Sequence, residues 1–200
     1  MEFYPTDSAV PDGLTTGDVV LRPLRACDTE ADYEALMSSK KMLRVWDQSD
    51  WPADDFTLEE NRSDLEEHES AHEAGRAFTY TVVDQVDNQC VGCVYIYPLE
   101  SILKGMGAGD DELADVGNYE AYVTFWVRES ELACGLEGRI FDNLVNWFNS
   151  EWSFTRVAFG TNTEDTRQTA LLTDAGFTPR WNFAVPGRDT EYLVYRREQR

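Results

Sequence analysis

The chain has 200 residues, 42% of them hydrophobic and 12% aromatic, enough apolar material for one sizeable core and so for one domain. It carries 38 acidic against 17 basic residues, a formal net charge of −21, which excludes nucleic acid as a general partner. No apolar run approaches the roughly 18 uncharged residues of a membrane span, and the acidic start "MEFYPTDSAVPDGL" lacks the basic and apolar regions of a signal peptide, so a cytoplasmic address without a membrane partner is expected.

Residues 1–17 read as an N-terminal tail and 18–200 as a single domain. "DVVLRPL" is the first strand, and "ACDTEADYEALMSS" follows as a helix with Asp28 at its N-cap. "VWDQSDWPADDF" is a loop rich in Trp and Asp. "TLEENRSDLEEHESAHEAG" is a long polar helix, with Thr57 and Glu60 as a capping box and Gly75 as its stop. "AFTYTVVD" and "CVGCVYIYPL" form a hairpin. "LKGMGAGDDELADVGN" is a loop, and "YEAYVTFWVRES" is a strand. "GLEGRIFDNLVNWFNSEW" places Leu136, Ile140, Leu144 and Phe148 on one helical stripe. "RVAFGTN" is a strand, "TRQTALLTDAGF" a helix ended by Gly176, and "TEYLVYRR" the last strand. The order β-α-α-β-β-β-α-β-α-β is an α/β pattern on one mixed sheet.

Two local patterns suggest metal. "CVGC" at 90–93 has the C-x-x-C spacing, but it lies in a strand, where a spacing of three sends Cys90 and Cys93 to opposite faces. No second pair exists to complete a tetrahedral site, and Cys27, Cys90, Cys93 and Cys134 are expected as free thiols. His68, Glu69 and His72 match H-E-x-x-H, the zinc-peptidase pattern. The residue that would extend it, Phe78, is no ligand, and the helix is polar nearly all round. The expectation is therefore two solvated histidines on an exposed helix and no metal. Of the basic residues only Lys40, Lys41 and Lys104 are lysines. So acidic a surface is tolerable where salt screens it, with a Debye length of about 3 Å at 1 M, which points to a halophilic source.

The order of elements resembles the GNAT acetyltransferase superfamily, on particular residues. "VVLRPLRACD" resembles the opening strand of the branch containing the ribosomal-protein N-terminal acetyltransferases. "FWVRESELACGLEGRIFDNL" is similar to motif A of that family, a strand, acyl-CoA loop and helix, and "EDTRQTALLTDAGF" is similar to its motif B. The resemblance covers residues 19–197. It implies the GNAT fold: one mixed, mostly antiparallel central sheet flanked by about four helices. It also implies acetyl-CoA as co-substrate, with no metal.

Physically, motif A runs a strand into a glycine-containing turn that opens a helix. The first helical turn offers unpaired N–H groups and a positive dipole end, a seat for a diphosphate. By resemblance, the pantetheine arm lies between the strands at 120–128 and 156–161. The backbones of Trp126, Val127 and Arg128 then meet the pantetheine. Those of Ala133, Cys134, Gly135, Leu136, Glu137 and Gly138 face the phosphates, and Asp165 and Gln168 of motif B complete the cofactor set. The chain departs from the family pattern in four places: Leu132 replaces a basic or amide residue, Glu137 a tiny one, Asp165 an Asn and Gln168 a Ser. The tyrosine that often protonates the departing thiolate falls at Leu172.

The implied reaction is N-acetylation of a primary amine, on a small molecule or a peptide, by direct attack in a ternary complex. Glu120 starts the central strand and shares its parity with Tyr122, Thr124 and Trp126. It is the candidate general base, beside the alternative of a solvated strand-end carboxylate. The acceptor is expected near Trp46 and Trp51, with Asp47 and Asp50 supplying negative charge for a cationic amine; packing of the Trp pair beside a solvated acidic loop is the competing reading. A GNAT-fold binding protein without catalysis is the alternative function, and a zinc peptidase a remote one. A monomer and a homodimer are equally compatible with the sequence.

Overall fold

The computed structural model describes residues 3–197. Eight strands form one sheet in the order β1-β2-β3-β4-β5-β6-β8-β7. They are β1 (Leu14–Thr16), β2 (Val19–Pro23), β3 (Phe78–Asp84), β4 (Cys90–Pro98), β5 (Glu120–Val127), β6 (Arg156–Asn162), β7 (Thr178–Ala184) and β8 (Glu191–Arg196). The helices are α1 (Thr29–Ser38), α2 (Lys40–Asp47), α3 (Leu58–Glu73), α4 (Leu99–Gly105), α5 (Asp110–Leu113), α6 (Leu136–Ser150) and α7 (Thr166–Asp174). The four expected helices are α1, α3, α6 and α7. The sequence reading took α2 partly into its Trp/Asp loop, and the end of α4 with all of α5 into the glycine-rich loop. It also passed over β1 and β7. β7 is an edge strand with Pro179 near its start and a register shift between Pro179 and Trp181, features that blunt an edge and hide the strand pattern.

The chain divides into two compact units, one made of the segment up to Ser8 with 96–124 and 153 onward, the other of 9–95 and 125–152. In the second unit, α3 begins with the expected capping box: Glu60 N–H donates to Thr57 Oγ1 (3.2 Å) and Thr57 N–H to Glu60 Oε2 (2.7 Å). It ends at Gly75, whose φ of 65° only glycine adopts at little cost. Asp28 stands at the N-cap of α1, but its carboxylate serves Arg22 (2.6 and 2.8 Å) and Arg25 N–H (3.0 Å) rather than the helix. The α6 stripe Leu136, Ile140, Leu144 and Phe148 is buried as its period requires. Among the described residues no helix is long and apolar enough to cross a membrane.

A core cluster of this unit joins Leu24, Leu36, Leu43, Leu65 and Trp126 with both Cys90 and Cys93. Both thiols are buried, Cys90 Sγ donating to Gly92 O (3.5 Å) and Cys93 Sγ to Tyr80 O (3.2 Å). Gly92 packs closely on the neighbouring strand: a Cβ there would stand 2.4 Å from the carbonyl oxygen of Trp126. Beside the cluster, Asp32 is 3% exposed and accepts a hydrogen bond from Asn61 Nδ2 (3.0 Å). Burial raises its pKa to about 6. A carboxyl with a raised folded pKa holds its proton in the native state while the unfolded chain has lost it. Stability is then full below the unfolded value and falls as pH rises towards 6. At about 1.36 kcal/mol per unit the penalty at neutral pH is on the order of 3 kcal/mol. Asp32→Asn, which can still accept from Asn61, is expected to melt higher than wild type by a margin that grows from pH 4 to 6 and then stays constant. A pH-independent margin, measured by thermal melts on both proteins, refutes the assignment.

In the first unit the core contains Leu99, Leu103, Val116, Tyr122, Ala158, Trp181 and Val194. Tyr4 is buried, with its hydroxyl accepting from Ser153 N–H (3.2 Å) and its ring edge-on to Phe154 (4.9 Å). Strands β5 and β6 run parallel and pair from Glu120↔Arg156 to Val123↔Phe159. There the ladder ends, although β5 continues to Val127 and β6 to Asn162.

Candidate active site

The candidate seat for a diphosphate is built by local rules. After β5 a 3₁₀ turn at Glu129–Glu131 leads into Leu132, whose carbonyl accepts from Gly135 N–H (3.1 Å). Gly135 has φ 75° and caps α6, a left-handed position that a glycine takes freely. Ala133, Cys134 and Gly135 are exposed, and the N–H groups of Leu136, Glu137 and Gly138 form the first turn of the helix. Arg139 reaches back to the carbonyl of Cys134 (2.7 Å), which brings one cation to a loop that lacks the expected basic residue at 132. Glu137 is buried in this first turn, at 6% exposure. The residues fit a phosphate group through backbone donors and the helix dipole, and Glu137 stands in the same helical turn.

Trp126 and Val127 are buried, and Trp126 Nε1 donates to the Tyr95 hydroxyl (3.3 Å). Arg128 is committed to the protein: its N–H bonds Val91 O (2.8 Å), its carbonyl accepts from Glu131, and its guanidinium holds Glu34 (2.9 Å) and Gln89 (3.1 Å). All of residues 126–128 and 133–138 lie in one compact unit, while Asp165 and Gln168 lie in the other. There Asp165 acts as the N-cap of α7, its Oδ1 accepting from Gln168 N–H (3.2 Å) and its own N–H donating to Asn162 Oδ1 (3.1 Å). The Asp that replaces the family's Asn thus has a capping role of its own.

Glu120 is not a solvated strand-end carboxylate. It is 4% exposed and stands at the centre of a charge network. Oε1 accepts from Gly117 N–H (2.8 Å) and from both Arg156 Nε (2.7 Å) and Arg156 Nη2. Oε2 accepts from Arg196 Nη2 (2.6 Å). Asp115 receives Arg196 Nη1 (3.1 Å) and Arg180 Nε (2.9 Å). The guanidinium of Arg196 lies 4.5 Å from the centre of the Trp181 ring. The sequence reading had no means of finding these partners, which lie 36 and 76 residues away.

Trp46 and Trp51 are half-buried against the second unit's core, Trp46 near Tyr95 (5.9 Å between ring centres) and Trp51 edge-on to Phe56 (6.2 Å). Asp47 accepts from Ser49, and Asp50 is exposed. The acidic loop is partly neutralised. Lys40 (2.8 Å) and Arg44 (2.9 Å) hold Asp54 and draw its pKa down to about 2.

The histidines are not solvated either. His68 Nδ1 meets Thr79 Oγ1 (3.2 Å) and its ring lies against Tyr95, while His72 Nδ1 meets the backbone N (3.3 Å) and O (3.2 Å) of Thr79. Burial lowers the pKa of both. They tie α3 to β3. Among the described residues no group of three or more His, Cys, Asp or Glu is placed to hold a metal ion.

No family model and no curated protein matches the sequence. Solved structures do. The apo ribosomal L7/L12 alpha-N-protein acetyltransferase RimL aligns over 98% of both chains with a TM-score of 0.70 at 18% identity. The Microcin C7 self-immunity acetyltransferase MccE, in complex with acetyl-CoA and AMP, aligns over 94% of this chain and 97% of its own, with a TM-score of 0.70 at 14% identity. Mycobacterium smegmatis RimJ, in complex with CoA-disulfide, aligns over 88% of this chain and 80% of its own, with a TM-score of 0.66 at 18% identity. At these identities the likeness speaks for architecture, and the architecture is that of the GNAT acetyltransferases, with RimL and RimJ among the structures it is similar to.

Proposed function

We propose that this chain is an acetyl-CoA-dependent N-acetyltransferase acting on a primary amine, carried by a small molecule or a peptide. The observation that carries the reading is the left-handed Gly135 turn, with residues 133–135 exposed, that opens α6 within one compact unit. The glycine turn and first helical turn of α6 support it as a phosphate seat, and acetyltransferases bound to CoA or acetyl-CoA share the fold. In the bound state acetyl-CoA supplies an activated acyl group. The chain orients it, lends a backbone N–H of β5 to the developing oxyanion, and admits the amine.

In this reading Glu120 is a positioning residue. Both of its oxygens are already engaged by arginines, so the ammonium of the acceptor loses its proton to water. The half-buried Trp46 and Trp51, with Asp47 and Asp50, are the proposed contact for a cationic acceptor. Isothermal titration with acetyl-CoA, followed by thiol release across a panel of peptides, polyamines and amino acids, tests the proposal. Binding without thiol release for any amine favours a non-catalytic GNAT-fold binding protein instead.

Glu137 sets the salt dependence. A carboxylate in the first helical turn shares the positive helix end with the diphosphate, and two such charges about 5 Å apart at an effective dielectric near 20 repel by on the order of 3 kcal/mol. Acetyl-CoA is therefore expected to bind more tightly as KCl rises, the reverse of ordinary phosphate binding. Glu137→Gln is expected to tighten low-salt binding by roughly tenfold and flatten the trend. Equal affinities of the two proteins at both salt concentrations exclude Glu137 from the seat.

A further inference from the structure

His68 is the point where α3 meets the aromatic side chains of the second compact unit. Its Nδ1 lies 3.2 Å from Thr79 Oγ1 on β3, and its ring stands against Tyr95 of β4, 5.3 Å between centres. Tyr95 is a junction. Its ring lies 5.9 Å from that of Trp46, and its hydroxyl accepts from Trp126 Nε1 (3.3 Å). One imidazole thus backs the side chain that joins the proposed acceptor contact to β5, and all of these residues belong to one unit. The groups around His68 are unequal in effect. Glu67, on α3, favours a proton on the ring, whereas Glu69 is engaged by Arg25 Nη1 (2.9 Å) and Ala26 N–H (2.8 Å). His72, one turn on, meets the backbone of the same Thr79. β3 faces His68 with the Thr79 hydroxyl and β4 with the Tyr95 phenol. Burial outweighs Glu67 and holds the pKa below the ordinary value of about 6.5, so the ring is neutral at neutral pH.

We infer that His68 is a positioning residue for the amine acceptor: neutral, it braces Tyr95 and through it Trp46, and on taking up a proton it withdraws that support and weakens acceptor binding. The inference rests on the acetyltransferase reading, with Trp46 as the acceptor contact. Two physical effects act in the same direction. An imidazolium has donors on both nitrogens and calls for water or a carboxylate, so charging the ring pulls it out of the slot between Thr79 and Tyr95. It also places a positive charge behind the side chains that meet a cationic amine. The linkage is reciprocal: an amine that prefers the neutral form lowers the pKa of His68 further, by the same factor. The two histidines of the H-E-x-x-H pattern then divide the work. His72 anchors α3 to the β3 backbone, and His68 couples that anchor to the acceptor side chains.

Steady-state kinetics with the fastest acceptor among spermidine, lysine and unblocked peptides, run between weakly alkaline and weakly acidic pH, test it. The amine's own ionisation acts on every variant alike, so wild type is compared with His68→Phe, which keeps a ring against Tyr95 and cannot titrate. On acidification the wild-type KM for the acceptor should rise roughly tenfold more than that of His68→Phe, the equivalent of about one pKa unit of linkage. The kcat and the acetyl-CoA affinity of the two proteins should keep a constant ratio. His68→Asn, which keeps a partner for Thr79 Oγ1 but no ring, should raise KM at every pH without the excess, and His72→Asn should retain the excess. In the free protein the Trp46 indole N–H resonance should titrate together with the His68 ring and become insensitive to that pH range in His68→Phe. Parallel KM curves for wild type and His68→Phe, an excess that disappears with His72, an effect on kcat instead of KM, or a Trp46 signal indifferent to the His68 titration overturns the inference while leaving the acetyltransferase reading standing. A wild-type protein that binds acetyl-CoA yet releases no thiol with any amine overturns both.

Discussion

Glu120→Ala is expected to lower the melting temperature by on the order of 10 °C. Breaking a buried ion pair from one side costs about 3–5 kcal/mol, and each kcal/mol is worth roughly 2–4 °C in a chain of this size. The reason lies in what stays behind. Arg196 has a side chain only 9% exposed and cannot shed its proton within any useful pH range. Burial pushes its pKa down, and the neighbouring Glu120 charge pushes it back up. Without Glu120, Arg180 and Arg196 are left with the Asp115 carboxylate, and Arg156 with the Asp115 backbone carbonyl. Glu120→Gln separates the two roles this residue could have. As a general base it would lose two to four decades of rate with stability intact. As the centre of an arginine network it destabilises the fold, and activity tracks the folded fraction. Glu120→Gln combined with Arg156→Gln should recover part of the loss, because one of the stranded charges goes with it. A stable Glu120→Gln protein with a hundredfold lower rate at constant acetyl-CoA affinity restores the base assignment.

How far the sequence led depended on how local the determinants were. The capping box of Thr57 and Glu60, the Gly75 stop and the α6 stripe are decided within one or two helical turns, and each was legible. So was the turn that opens α6, because a strand, a glycine turn and a helix are contiguous in the chain. Misreadings arose where distant backbone intervened. His68 and His72 looked solvated because α3 is polar over most of its surface. Their partner, Thr79, sits on β3 beyond the helix stop and left no periodic trace. Glu120 was placed on the right strand, but its arginines come from β6 and β8. The helix α2 hid because Ser39 separates it from α1 by one residue, and β7 because a proline and a bulge interrupt its pattern. One unused signal was Gly160: a glycine inside an apolar strand marks a close approach.

That close approach gives the second large effect, Gly160→Ala. The added Cβ falls 1.8, 2.1 and 2.3 Å from Oη, Cζ and Cε2 of Tyr122, all far inside van der Waals contact. The conflict involves the ring as well as the hydroxyl, so a small rotation of the O–H does not relieve it. The ring has little room to retreat, since it is 7% exposed and belongs to a buried cluster with Leu99, Leu103, Ala158 and Val194. Overpacking of a full core costs about 1–3 kcal/mol and occasionally more, and a contact this short on a rigid aromatic belongs at the top of that range. The melting temperature should fall by roughly 6–12 °C. A double-mutant cycle identifies the cause. In a Tyr122→Ala background, itself destabilised by the lost ring, the same Gly160→Ala change should cost under about 1 kcal/mol, giving a coupling energy of about 2 kcal/mol. Tyr122→Phe should give no such relief, because Cζ and Cε2 remain. If Gly160→Ala costs the same with and without the Tyr122 ring, the strain arises in the β6 backbone itself.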